Sequence, residues 1–304
     1  MHEGSKRAVI AAFLANLGIA AAKFAAFLAT GAASMLAETV HSIADTGNQA
    51  LLLLGARRAS RRPSPQHPFG YGRERYFWAF VVALLLFSIG SIFAIAEGVE
   101  KLRHPHALES PRWAFAVLFA SLALESASLR TAVREANALR GGEGWWAFVR
   151  RAKSPELPVV LLEDLGALLG LLFAFAGVAL AVATGKPRFD ALGSVAIGLL
   201  LGAIAVVLAS EMKSLLIGEA ANPAVEARIR GAIESAPGVR RLIHMRTLHL
   251  GPDELLVAAK LEFAAELDMR ALAAAIDGVE SRVRAGAPEA RVIYVEPDVT
   301  RAPA

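Results

Sequence analysis

Glu38, His41, Asp45 and Asn48 interrupt an apolar stretch in a pattern suited to a bound cation. Their spacing of three, four and three residues sets them along one face of a helix that turns about 100° per residue. His41 and Asp45, an imidazole and a carboxylate one turn apart, can close on a single ion. A second acidic pair, Glu163 and Asp164, breaks the apolar run Val159-Val-Leu-Leu-Glu-Asp-Leu-Gly-Ala-Leu-Leu. Adjacent residues diverge by about 100° on a helix, so both cannot aim squarely at one ion. One is expected as a ligand and the other as a supporting, proton-carrying or subunit-contact group. The chain has no Cys, which removes disulfides and thiolate sites. Imidazole and oxygen ligands suit Zn, Mn, Fe(II), Co or Ni and not Cu(I).

These groups lie inside apolar segments, where a charge at mid-helix costs about 2.5–3.5 kcal/mol on insertion scales. Such residues normally face the interior of a bundle and mark a pathway. The structural alternative is a polar seam bonded to neighbouring helices, and the alignment of Glu38, His41, Asp45 and Asn48 argues against it. Glu38, nearer the outer end, reads more readily as a gate or interfacial group than as a direct ligand. Lys23 can snorkel outward, Glu97 and Glu125 lie toward span ends, and Asn16 can bond a neighbouring helix. All four are read outside the site.

The elements that must position these residues are membrane helices. The 304 residues are 55% hydrophobic and 20% charged, with mean hydropathy +0.47, too apolar for an ordinary soluble chain. A span needs about 20 mostly apolar residues. Candidates are 8–29, 33–56, 76–98, 112–130, 157–183 and 189–210, so the His41 face belongs to the second and Glu163–Asp164 to the fifth. Gly166, Gly170, Gly198 and Gly202 give spacings that let membrane helices approach closely. A transmembrane domain is expected over 1–211 and a soluble domain over 212–304, where Arg, Glu and Asp disperse among short apolar runs.

The first apolar stretch is too long for a cleaved signal and is expected to be retained. Arg57, Arg58, Arg61, Arg62, Arg73 and Arg75 lie between the second and third spans; Arg134, Arg140, Arg150, Arg151 and Lys153 lie between the fourth and fifth. Both links are expected in the cytoplasm, with both termini and the soluble domain. The net charge of +4 sits beside the spans, which explains it without nucleic acid. Ala and Arg richness hints at a bacterial inner membrane.

In the soluble part, Asn222-Pro223 signals a helix reaching about Ser235. Runs at 239–250 and 254–263 flank Gly251-Pro252-Asp253 as a hairpin, Asp268 can cap a helix to about Ala285, and 291–295 reads as a strand. The order αββαβ fits a two-layer α+β unit.

Together, His41-Ser-Ile-Ala-Asp45, His67-Pro-Phe-Gly-Tyr-Gly-Arg73, the fifth-span carboxylates and Val292-Ile-Tyr-Val-Glu-Pro297 resemble the cation diffusion facilitators. Glu163-Asp164 is most similar to the branch that includes the mitochondrial zinc exporters of animals. The resemblance implies a homodimer of six-span protomers with a cytoplasmic ferredoxin-like domain, exchanging Zn2+ or a similar ion for protons. It assigns His41, Asp45 and Asp164 as metal ligands. The partner four residues before Asp164 falls on Val160, which cannot coordinate, so Glu163, Glu38 or water must complete the shell. The family's other metal positions are altered: Tyr71 stands where a partner for His67 is expected, Tyr294 replaces a His, and His244 is left isolated and structural. Dimerisation is then the soluble domain's expected role.

Exporting a divalent ion against about 100 mV, inside negative, costs about 4.6 kcal/mol, so an exporter needs coupling. Metal ligands must be deprotonated, which makes metal and protons compete. An imidazole, with a reference pKa of about 6.5, suits that exchange. The expected cycle is alternating access: metal enters from the cytoplasm, protons displace it outside, and the protonated site returns. Zn is expected over Mn because of the His ligand. A channel, a membrane scaffold or an intramembrane hydrolase are the other classes; no positioned nucleophile supports an enzyme, and no cofactor is expected.

Overall fold

The computed structural model describes residues 33–105 and 111–298, with scattered helical positions between 13 and 28. The expected first span, with Asn16 and Lys23, falls largely outside them. The chain forms two compact units that divide at Arg57/Arg58, Tyr76/Phe77 and Lys213/Ser214.

Among its described residues, the regular elements of the first unit are all helices. Its elements are α1 (Ala33–Ala59), α2 (Glu74–Arg103, with a π turn at Ala83–Phe87), α3 (Pro111–Leu139), the short α4 (Trp145–Arg151), α5 (Glu156–Thr184) and α6 (Arg188–Ile217). By length and composition, α2, α5 and α6 can cross a membrane. They expose large apolar side chains such as Ile92, Phe93, Leu199 and Val206 and bury Gly98, Gly166 and Ser91, the pattern of helices surrounded by lipid. With 27 and 29 residues, α1 and α3 also have the length to cross a bilayer.

Small residues bring helices into backbone contact here. A Cβ at Gly198 would stand 2.9 Å from Ser91 O and Ile95 N, and Ser91 Oγ donates to Gly198 O at 2.7 Å. At Gly170 the same construction meets Ile197 at an ordinary 3.7 Å.

The second unit is the α+β domain: α7 (Pro223–Glu234), β1 (Val239–Gly251), β2 (Glu254–Phe263), α8 (Met269–Gly286) and β3 (Ala290–Asp298). Asn222 Oδ1 accepts from Val225 N and Asp268 Oδ1 from Ala271 N, each at 2.8 Å, satisfying amides that helix starts leave without partners. Central β2 pairs antiparallel with β1 and parallel with β3. Alternation along β2 buries Leu255, Val257, Ala259, Leu261 and Phe263 with Ile229, Ile233, Val279 and Val283, the period-two signature of a half-buried strand.

The units are not consecutive segments meeting at 211/212: residues 58–76 pack with the α+β unit, and α6 runs on to Ile217. The cause is a backbone-to-backbone seat. A Cβ on Gly72 would stand 2.7 Å from Leu250 O, and one on Gly251 would stand 2.9 Å from Gly72 Cα, so only glycines fit. Beside them, Arg75, 7% exposed, donates from Nη1 to Asp253 Oδ2 at 2.9 Å.

Candidate metal pathway between α1 and α5

The third to fifth turns of α1 carry His41, Asp45 and Asn48 at helical spacing. The side chains of Glu38, His41 and Asp45 lie outside the described residues; beyond them Thr46, Asn48 and Gln49 are buried. Asn48 Nδ2 donates to Glu163 Oε1 at 2.8 Å, which ties the α1 face to α5. Asp164 Oδ2 accepts instead from Ser128 Oγ of α3 at 2.9 Å. The adjacent carboxylates, 8% and 9% exposed, thus turn to different neighbours, as the 100° helical step requires.

The Asn48–Glu163 bond sets a level along the helices. Asp164 stands about 1.5 Å from it along α5; Asp45 is about 4.5 Å and His41 about 10 Å along α1. Asp45 is therefore the nearer of the two to the level of Asp164. Val160 belongs elsewhere: it is half-buried against an apolar cluster of Ala132, Ala136, Phe148, Val149 and Leu161. A group oriented into that cluster serves packing between α3, α4 and α5.

Glu97 pairs with Lys101 at 3.2 Å, and Lys101 bridges to Asp190 at 3.3 Å, an ion-pair cluster joining the ends of α2 and α6. In the second unit, exposed His67 stacks on Tyr71 with ring centroids 4.5 Å apart. Ser64 Oγ and Tyr71 OH share a hydrogen bond of 3.0 Å, so this aromatic closes the loop. His244 is exposed in a hollow with Arg246, Lys260, Tyr294 and Glu296. Lys260 engages Glu296 at 3.0 Å and Asp298 at 2.8 Å; the Asp298 and Glu296 carboxylates hold its ammonium above the ordinary lysine range. Among the described residues, no three His, Asp or Glu side chains converge as a metal centre.

Two contacts were absent from the sequence reading. Ser128 gave no signal, since a serine in a membrane helix commonly bonds its own backbone. Asn48 was read on the polar face of α1, but its partner in α5 could not be assigned from spacing.

A family model described as the cation efflux transmembrane domain matches residues 9–217. The protein of Homo sapiens named proton-coupled zinc antiporter SLC30A9, mitochondrial, is 36% identical over 248 residues, covering 81% of this chain and 43% of that protein. Metal tolerance protein C4 of Arabidopsis thaliana is 30% identical over 265 residues, covering 86% of this chain and 58% of that protein. Manganese efflux system protein MneP of Bacillus subtilis (strain 168) is 22% identical over 259 residues, covering 83% and 82%. The chain thus spans about half the length of the first two relatives.

Proposed function

Because this chain belongs to the cation efflux family, we propose that it exports Zn2+ or a similar divalent cation from the cytoplasm in exchange for protons. The observation that carries this reading is the buried Glu163–Asp164 pair in the membrane-length helix α5, with Glu163 bonded to Asn48 on the face that holds His41 and Asp45. Burying two carboxylates in such a helix is costly, and cation passage gives them a use.

His41, Asp45 and Asp164 are the metal ligands of this reading, with Glu163 completing the shell in place of Val160. Ser128 orients the Asp164 carboxylate, as a donor to a ligand commonly does. These ligands bind metal only when deprotonated, so protons arriving from the outside displace the ion and the neutralised site resets. Zinc and proton coupling accord with the name of the human relative; manganese, in the name of the B. subtilis relative, with Fe2+, Co2+ and Ni2+, is the alternative cargo.

The transporter is a homodimer of six-span protomers in a bacterial inner membrane. Its termini and soluble domain face the cytoplasm, where Lys and Arg cluster in the loops. The ligand assignment is tested in proteoliposomes with an imposed pH gradient: His41→Ala and Asp45→Ala lose at least about tenfold in zinc flux. Wild-type flux in either variant overturns it.

A further inference from the structure

The fold treats the two ends of the Asn48 amide differently. Asn48 is 4% exposed. Its Nδ2 donates to Glu163 Oε1, whereas its Oδ1 is buried and accepts no hydrogen bond among the described residues. Burying an amide oxygen without a donor costs about 1–3 kcal/mol. Turning the amide over offers no relief, because Oδ1 would then face the Glu163 carboxylate, and oxygen cannot donate there. Glu163 therefore fixes which way the amide oxygen points.

Position adds to this. Asn48 follows Asp45 by three residues and His41 by seven, so a cation moving along their shared face passes it. Gln49 also buries an amide oxygen without a donor among the described residues, but it is about 100° round the helix and off that face.

We infer that Asn48 is a direct ligand of the transported cation, supplying Oδ1 as a neutral oxygen while Nδ2 holds Glu163 toward the same ion. This rests on the transport reading above and adds a neutral oxygen to the shell that Glu163 completes. Amide oxygens are ordinary ligands of hard and borderline divalent cations. Unlike a carboxylate or imidazole, an amide has no proton to lose before it coordinates. It stays available across the pH range over which the other ligands exchange metal for protons.

The test is zinc affinity of the purified full chain in detergent, by competition with a fluorescent chelator. Asn48→Ala weakens binding at least about tenfold, and weakens it again when introduced into Glu163→Ala, as an independent ligand must. Asn48→Asp loses the amide donor but keeps an oxygen, and binds zinc within about threefold of wild type. Wild-type affinity in Asn48→Ala overturns the inference. So does equal affinity of Glu163→Ala and the double variant, which makes Asn48 only a strut for Glu163. If Asn48→Ala does not fold by circular dichroism, Asn48→Asp decides, since a strut alone predicts lost binding there. A wild-type chain that binds no zinc sinks the transport reading along with this one; wild-type binding with indifferent Asn48 variants sinks this inference alone.

Discussion

A single helical step separates Glu163 from Asp164, and it sends one carboxylate to α1 and the other to α3. The two acids therefore meet different neighbours. At this scale, Ser128→Ala frees the Asp164 carboxylate from its donor and is expected to weaken zinc binding about tenfold; calorimetric affinity equal to wild type would place Asp164 outside the metal shell. Val160→Ala is the complementary case. Its side chain packs among Ala132, Phe148 and Leu161, so the variant loses about 1 kcal/mol of stability while zinc affinity stays within about twofold. A tenfold loss of affinity there would show that Val160 shapes the metal site after all.

Helices and strands carry the next level of explanation. In the α+β unit the sequence was readable because each boundary has a local cause: Asn222 and Asp268 cap their helices, and Gly251-Pro252-Asp253 turns the hairpin. Spacing along α1 is local in the same way, and Asn48, the described side chain of that face, meets α5. What spacing could not reveal were partners on other elements. The Ser128–Asp164 bond joins residues 36 apart and the Arg75–Asp253 bond residues 178 apart, so both depend on how elements meet. The Gly198 contact lies between these cases: the small-residue spacing was visible, but its partner, the Ser91 turn of α2, was not. Gly198→Leu should force α2 and α6 apart and cost about 1–3 kcal/mol, read as a lower unfolding temperature in detergent. An unchanged midpoint would mean that the helices do not approach as closely as the Ser91–Gly198 bond requires.

For the molecule as a whole, the segment between α1 and α2 belongs structurally to the α+β unit, seated by Gly72 against Gly251 and by Arg75 on Asp253. Arg75→Ala removes a charge-assisted bond and is expected to destabilise that unit by about 1.5–3 kcal/mol; denaturant unfolding followed by its circular dichroism checks this, and an unshifted midpoint would mean the seat rests on the glycines alone. The whole assembly is expected to be a dimer by light scattering in detergent, and a monomer that still transports would remove the dimer from the mechanism. Central to the account is that protons and metal exchange at one site built from α1 and α5. Its most direct measurement records zinc and proton flux together in proteoliposomes holding the wild-type chain. The account predicts that zinc accumulates only while the imposed pH gradient lasts, that each zinc pulse dissipates that gradient, and that Asp164→Asn abolishes both signals. Zinc flux with no proton countermovement, or both signals persisting in Asp164→Asn, would contradict it.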